Sequence, residues 1–259
     1  MVEQFRATQD DWDAHWNQYA ESATDNPAQR MRHRFIGRLL GEDRTRSPMR
    51  ILDLGSGQGD LVAKLAWLLR GAEFVGLELS ASGVAISERK VPAAKFFVTD
   101  MFHPPPSLQV YSGWATHAIC SEVLEHVDDP VGFLEQARPY LAEQGRLIIT
   151  VPGGPMSAFD RHLGHRQHFT SAKIRAILER AGYGVDRVYR AGFPFFNLYR
   201  LLVIARGKRL AADVESGAGR RSSRLASVAM RVFDFLFHAN LLDSPFGWQL
   251  VATARKTPA

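Results

Sequence analysis

The sequence lacks the features that several classes of protein require. It contains one cysteine, Cys120, so a disulfide scaffold is excluded and a reducing compartment such as the cytoplasm is expected. No apolar run reaches the roughly 20 residues that a membrane-spanning helix needs. The first residues are polar, which is not typical of a secretory signal peptide. These absences favour a globular, cytoplasmic protein.

The chain also lacks a strong excess of charge of one sign. A formal net charge of +5 over 259 residues is too small to predict a nucleic-acid-binding protein by itself. Neither an internal repeat nor a low-complexity tract is visible. What the chain does have is 46% hydrophobic residues, enough for one large α/β domain with additions.

The most informative segment is residues 51–61, ILDLGSGQGDL. An apolar run typical of a strand ends at Gly55, three glycines alternate with other residues, and helical spacing begins at Leu61. This pattern predicts a strand, a tight turn and a helix N-terminus whose backbone N–H groups converge on a ligand. The third glycine of a dinucleotide fingerprint is replaced by Asp60, and an acid there would repel a pyrophosphate. The spacing therefore argues against NAD.

Carboxylates end the next two predicted strands. Glu78 ends an apolar run, and Asp100 ends the following one. Because ligands of open α/β sheets lie at the carboxyl ends of parallel strands, both side chains should face one crevice. There Glu78 can accept hydrogen bonds from the hydroxyls of a ribose, and Asp100 can accept one from an exocyclic amine. Each carboxylate alone is also explained as a solvated strand end or a helix cap.

Five segments resemble, in order, the class I S-adenosylmethionine-dependent methyltransferases: ILDLGSGQGDL, VGLELS, FFVTDMF, ICSEVLEHVDDP and LAEQGRLIITVPGG. The resemblance implies that S-adenosylmethionine (SAM) is the cofactor. It also implies the residues that hold it: Tyr19, Asp53, Gly55, Ser56, Gly57, Glu78, Leu79, Asp100, Met101 and Ser121. The sulfonium and amino groups of SAM suit an acid at position 60. In this family the leading helices close over the methionine end of the cofactor, and Tyr19 would contact it there.

Predicted strands and helices alternate along the chain, which indicates a parallel sheet with right-handed crossovers. The predicted strands are residues 51–54, 73–77, 95–99, 115–120, 146–151, 184–189 and 248–254, and predicted helices include 60–70, 82–90 and 171–181. With the resemblance, the expected fold is α/β: a Rossmann-like seven-stranded sheet, six strands parallel and one antiparallel. An N-terminal helical cap and a helical insertion before the last strand complete it.

The expected organisation has four segments: a helical cap over 1–47, a SAM-binding core over 48–190, an insertion over 191–246, and the last strand with a tail over 247–259. The basic residues of the helix predicted from Ala28 to Leu40 are expected to form a mostly solvated face. The insertion combines an apolar helix to about Ala205, a basic stretch and a final amphipathic helix. It is interpreted as a lid that also builds a homodimer, as a subdomain on the sheet edge, or as a peripheral membrane contact.

Glu122, Glu125 and His126 follow the fourth strand at positions i, i+3 and i+4, so on a helical turn they would share one face. Such a cluster needs a cation or several donors, and Mg2+ or Mn2+ suits the carboxylates. The pattern resembles the metal site of the small-RNA 2′-O-methyltransferases, which implies His165, before Phe169-Thr170, as a further ligand. Related methyltransferases carry the same S-x-V-L-E-H without a metal, where it caps a helix and orders the cofactor loop. Both interpretations remain open.

A hydroxyl acceptor must lose a proton, which a neutral histidine can take near pH 7. His168 is the candidate base, with His126 as the alternative if no metal binds; a structural hydrogen bond also explains His168. Ser121-Glu122 replaces the Asn/Asp-Pro-Pro-Tyr signature of DNA methyltransferases, so O-methylation is favoured and DNA is not expected.

The acceptor is less well defined by the sequence than the cofactor. The histidine, arginine and aromatic residues of 153–200 suit a sugar or oligosaccharide. The apolar stretch Phe193–Leu202 suits a phenolic, quinone or lipid-linked acceptor almost as well. RNA ranks third, since no RNA-binding module is recognisable. A non-catalytic scaffold that retains the cofactor site is the alternative to an enzyme.

Overall fold

The structure is a computed structural model that describes residues 12–14, 16, 26–43, 48–215 and 224–258. Its centre is a seven-stranded sheet in the order β3-β2-β1-β4-β5-β7-β6. The strands are β1 (Arg50–Leu54), β2 (Glu73–Glu78), β3 (Lys95–Val98), β4 (Ala115–Ser121), β5 (Leu141–Pro152), β6 (Tyr183–Ala191) and β7 (Gln249–Lys256). Only β7 runs antiparallel to its neighbours in this sheet. The predicted sheet of six parallel strands and one antiparallel strand is confirmed, although β5 is longer than expected.

Besides the helical residues 12–14 and 16 and short 3-10 turns, eight α-helices surround the sheet in the described parts of the chain. They are α1 (Pro27–Gly41), α2 (Asp60–Leu68), α3 (Ala81–Lys90), α4 (Pro130–Ala137), α5 (Ala158–His162), α6 (Ser171–Arg180), α7 (Phe195–Glu215) and α8 (Arg224–Leu236). Side-chain oxygens at helix starts accept N–H groups of the first turn: Asn26 caps α1, Ser80 caps α3 and Thr170 caps α6. Helix α5 was not predicted, and α7 continues well past Ala205, where the sequence suggested an end.

The central strands are buried on both faces, as expected for parallel strands covered by helices. Along β4, Ala118 and Cys120 join one apolar cluster, whereas Ile119 between them joins the cluster on the opposite face. Strand β1 pairs with both β2 and β4, so the strand order reverses at β1. A crevice is therefore expected beyond the carboxyl ends of β1 and β4, which is the usual ligand site of such sheets.

The insertion packs against the N-terminal part of the chain. Helix α8 lies beside α1, where Asp234 pairs with Arg30 at 3.4 Å and with Arg34 at 3.5 Å. Rings of α7, α8 and the turn after α8 form one aromatic cluster of Phe196, Tyr199, Phe233 and Phe237. The expectation of a mostly solvated basic face on α1 holds only in part: Arg38 is exposed, but Arg30 and Arg34 pair with α8 and Arg32 lies near Glu122.

Among the described helices, none is both long and apolar enough to cross a membrane.

Candidate functional site

The turn after β1 can be built only with glycine. Gly55 and Gly57 have φ of 73° and 56°, in the left-handed region. A methyl group on Gly55 would lie 2.5 Å from Cγ2 of Val123. The N–H groups of Gly55 and Ser56 donate to the carbonyl of Leu77 at 2.7 and 3.0 Å. These bonds fix the turn against the end of β2. The predicted strand, turn and helix are present, but these two N–H groups bind Leu77 and do not face a ligand.

Glu78 lies at the end of β2, beside the glycine turn. Its Oε2 accepts the N–H of Gly57 at 2.8 Å, and its Oε1 accepts the N–H of Ser80 at 3.0 Å. The residue is buried, and burial raises the pKa of its carboxyl group while these backbone N–H groups act in the opposite direction. Each oxygen has a further lone pair, so the carboxylate can also accept ligand hydroxyls.

Asp53 and Ser56 lie buried near Glu78. Burial and the neighbouring charge of Glu78 raise the pKa of Asp53 to about 7. The Ser56 hydroxyl is buried and has no hydrogen-bond partner among the described residues. Near the end of β4, the Ser121 hydroxyl is 2.9 Å from that of Thr150.

The ends of β2 and β3 supply apolar and acidic groups to the same edge. Leu79 is 41% exposed, and Met101 is buried. Asp100 accepts the N–H of Phe102 at 2.9 Å and lies 2.9 Å from Nδ1 of His103. These residues have the chemistry to flank and recognise a purine, as the resemblance implies.

Part of the N-terminal segment lies directly on the glycine turn. Asp13 accepts the hydroxyl of Ser80 at 2.5 Å and the N–H of Ser82 at 2.9 Å. A methyl group on Gly57 would lie 2.7 Å from Cζ2 of Trp16. A ligand above Gly57 would therefore compete with Trp16 for space. Tyr19, the predicted contact from this segment, lies outside the described residues.

The predicted arrangement of Glu122 with Glu125 and His126 is wrong. Only Leu124–His126 form a short 3-10 turn, and Glu122 has a φ of 57°, so the three side chains do not share a helical face. Oε1 of Glu122 instead accepts hydrogen bonds from the Thr150 hydroxyl at 3.1 Å and from Nε2 of Gln249 at 2.9 Å. Its other oxygen is 3.6 Å from Nη1 of Arg32. Its carboxylate is thus already paired.

The 3-10 turn instead brings Glu125 and His126 to His165, in the loop after β5. One ligand atom from each of the three lies within 4.8 Å of the others. Glu125 is completely buried, and neither of its oxygens accepts a hydrogen bond from another described residue. Burial and the charge of Glu122 raise its pKa well above the usual value. A buried carboxyl group without donors is costly, and a bound cation would compensate it.

His165 and His168 form a hydrogen-bonded pair whose tautomers follow from their partners. Nδ1 of His168 is 3.1 Å from the carbonyl oxygen of Gly154, so this nitrogen must donate. Its Nε2, 3.3 Å from Nδ1 of His165, must then accept. Nε2 of His165 then carries the lone pair of that ring, so it is the nitrogen able to bind an ion or accept a proton. Both rings are neutral near pH 7, because burial lowers the pKa of His165 to about 4 and also lowers that of His168.

Several residues of this site were missed from the sequence. Gln249 and Arg32 reach Glu122 from β7 and α1, and Arg200 of the insertion reaches Asp160. These contacts join distant segments and leave no local signal. The one local signal was Ser157-x-x-Asp160, which is a helix-capping box in the structure.

A family model described as a methyltransferase domain matches residues 19–188. The chain belongs to the methyltransferase family. No curated protein sequence matches it significantly. With the sheet order and the glycine turn, the family confirms the predicted class I SAM-dependent methyltransferase. The more specific O-methyltransferase type is not decided by this match.

Solved structures similar to this methyltransferase share its fold at low sequence identity. The cyclase SpnF is 19% identical, with 82% of this chain and 75% of that chain covered and a TM-score of 0.55. A putative sarcosine dimethylglycine methyltransferase from Galdieria sulphuraria is 14% identical, with 86% and 84% covered and a TM-score of 0.56. A TehB-like SAM-dependent methyltransferase from Corynebacterium glutamicum is 15% identical, with 94% and 95% covered and a TM-score of 0.53. These likenesses extend to the fold alone.

Asp53 predicts a pH dependence of stability in this methyltransferase. An unfolded aspartate ionises near pH 4, whereas folded Asp53 does so at about pH 7. Between these values the unfolded state binds fewer protons, so the free energy of unfolding falls as pH rises. Asp53→Asn lacks this ionisation. The free energy of unfolding of the variant minus that of wild type should therefore rise by up to about 1.4 kcal/mol per pH unit in that window.

Urea denaturation of both proteins at several values from pH 4.5 to pH 7.5 measures the difference. Asp100→Asn is the matched control, because Asp100 is an exposed aspartate just after β3 of the same sheet. Parallel stability curves for wild type and Asp53→Asn would contradict the raised pKa.

Proposed function

We propose that this protein is a SAM-dependent O-methyltransferase, assisted by a divalent ion, that acts on a hydroxyl group of a sugar, an oligosaccharide or a similar small molecule. The observation that carries the proposal is the buried carboxyl group of Glu125, which has no donor among the described residues and lies beside His126 and His165. This cluster follows β4 and β5, at the same sheet edge as the glycine turn.

The residues around the glycine turn fit the methyl donor. SAM supplies a methyl group already activated by its sulfonium, so much of the acceleration comes from positioning. Glu78 would accept the ribose hydroxyls while Gly57 and Ser80 hold its carboxylate in place. Leu79 and Met101 would flank the adenine, and the carboxyl group of Asp53, which ionises at about pH 7, would accept a hydrogen bond from the amino group of the donor.

The cluster of Glu125, His126 and His165 fits a divalent ion. One carboxylate and two imidazoles favour Mn2+ over Mg2+, because Mg2+ prefers oxygen ligands. Glu122, paired with Arg32, is left out of this ligand set. An ion held there would lower the pKa of an acceptor hydroxyl beside it.

The histidines have two roles that are compatible with their hydrogen bonds. With an ion bound, His126 and His165 hold it, and His168 orients His165 through the Nδ1 hydrogen bond. Without an ion, Nε2 of His165 accepts the hydroxyl proton, and its Nδ1 proton passes to His168. In this second role His168 remains the final base.

Methyl transfer from isotopically labelled SAM to a panel of sugars, phenols and amines tests the proposal. We expect label in a hydroxyl acceptor, a rate that falls at least about tenfold in EDTA, and recovery with Mn2+. Undiminished turnover in chelator would show that the reaction does not need the ion, and the histidine pair would then act as the base. Label in amines alone would contradict O-methylation.

A phenolic, quinone or lipid-linked acceptor at a membrane surface is the second candidate, favoured by exposed apolar side chains of the insertion. Leu198, Leu201 and Leu202 of α7 are each about half exposed, and Val228, Val232 and Phe235 of α8 are 50–77% exposed. The α8 residues recur at i, i+4 and i+7, as on one face of a helix. The same surface would suit a homodimer.

Two measurements distinguish a membrane surface from a second copy of the chain as the partner of this surface: co-sedimentation with anionic vesicles, and light scattering of the protein without vesicles. Loss of vesicle binding in Phe235→Ser would favour the membrane. A dimer that this substitution dissociates would favour self-association. A wild-type protein that stays monomeric and does not bind vesicles would exclude both.

A further inference from the structure

Arg200 of the inserted helix α7 forms a buried ion pair with Asp160 of α5. Its Nη1 donates to Oδ1 at 2.9 Å and its Nη2 donates to Oδ2 at 2.8 Å, so the pairing is bidentate. The side chains are only 13% and 2% exposed. Burial raises the pKa of Asp160, but the hydrogen bonds and charge of Arg200 and the bonds of Ser157 outweigh it and leave a pKa of about 2. The carboxylate is therefore charged and fixed in direction.

Asp160 in turn organises the loop that carries the two histidines. Its Oδ2 accepts the N–H of Ser157 at 2.6 Å, and the Ser157 hydroxyl accepts the N–H of Asp160 at 3.1 Å. The carbonyl of Asp160 accepts the N–H of His165 at 3.0 Å. Its Oδ2 lies 3.9 Å from Nε2 of His168. One residue thus contacts the start of α5 and both members of the histidine pair.

We propose that Arg200 is a positioning residue: through Asp160 it holds the loop so that the His165–His168 pair keeps its tautomers and His165 presents Nε2 to Glu125 and His126. The inserted helix then completes the reactive part of the site instead of only covering it. The catalytic meaning of this role rests on the proposed function, but the hydrogen bonds themselves do not.

The loop has other attachments that should preserve the fold without Arg200. The N–H of Arg166 donates to the carbonyl of Glu125 at 2.8 Å, and Nε2 of Gln167 donates to the carbonyl of Val127 at 3.1 Å. These bonds keep the loop beside the Glu125 turn. Removing Arg200 should therefore change the orientation of the histidines while the loop stays beside the Glu125 turn.

The test is a long-range 1H–15N NMR spectrum of the full chain labelled with 15N-histidine, which reports the tautomer of each ring. In wild type we expect both His165 and His168 as Nδ1–H tautomers. Arg200→Met should lose these two signals or convert them to mixed tautomers. Arg200→Lys, which keeps the charge but not the bidentate bond, should give an intermediate result. Arg206→Met, an exposed site on the same helix, is the matched control and should leave both signals unchanged.

SAM affinity and methyl-transfer rate separate positioning from damage to the fold. Arg200→Met should bind SAM within about threefold of wild type while the transfer rate falls at least about tenfold. Wild-type tautomers in folded Arg200→Met would overturn the proposal. Should that variant unfold, wild-type tautomers in Arg200→Lys would overturn it equally. Intact tautomers in a wild-type protein that transfers no methyl group would refute the proposed function and leave this inference standing.

Discussion

Replacing Glu78 with alanine should weaken SAM binding at least about 100-fold. The substitution removes the acceptor for the ribose hydroxyls and also frees the N–H groups of Gly57 and Ser80 that now bind its carboxylate. Hydrogen bonds to a charged group contribute about 1.5–3 kcal/mol each, so losing two costs about 3 kcal/mol or more. About 1.4 kcal/mol corresponds to a tenfold change in affinity. Isothermal titration calorimetry with SAM measures the change.

Two further variants make this result specific. Glu78→Gln keeps the size and one acceptor oxygen and should fall between wild type and Glu78→Ala. Glu73→Ala, at the exposed start of the same strand, should bind SAM as wild type does. A dissociation constant for Glu78→Ala within threefold of wild type would place the donor elsewhere.

Glu125→Gln should abolish Mn2+ binding, whereas Glu122→Gln should leave it nearly unchanged. The first substitution removes the one carboxylate of the cluster with His126 and His165. The second removes a carboxylate that is already bound by Thr150, Gln249 and Arg32. Because the two glutamates are neighbours and the substitutions are identical, each variant is the control for the other.

Electron paramagnetic resonance titration of Mn2+ measures both affinities. We expect the dissociation constant to rise more than about 100-fold in Glu125→Gln and less than about threefold in Glu122→Gln. Wild type should also gain about 2.7 kcal/mol of stability when Mn2+ is at 100 times its dissociation constant. Binding lost in Glu122→Gln but kept in Glu125→Gln would favour the arrangement expected from sequence spacing and contradict the one in the structure.

The sheet and the glycine turn could be predicted because their signals are local. The run before Gly55 is apolar, and the glycines behind it have positive φ that other residues rarely adopt. Glu78 followed from the rule that ligands lie at the carboxyl ends of parallel strands. Helix α5 has only its capping box, Ser157-x-x-Asp160, as a local signal, because its five residues are too few to show helical periodicity.

The reactive cluster was predicted only in part, because spacing assumes a regular backbone. The positive φ of Glu122 breaks the helical turn on which the i, i+3, i+4 argument depended. Its actual partners come from α1, β5 and β7, which the sequence does not show to be close. Arg200 was hidden for the same reason, since its partner Asp160 lies in a helix that was not predicted.

A crystal structure with S-adenosylhomocysteine tests the central claim most directly. The account predicts that this product of the donor lies over Gly57, with its ribose hydroxyls within hydrogen-bonding distance of Glu78 and with Trp16 moved from its present contact. A ligand bound elsewhere, or a glycine turn still covered by Trp16 at saturating ligand, would contradict it.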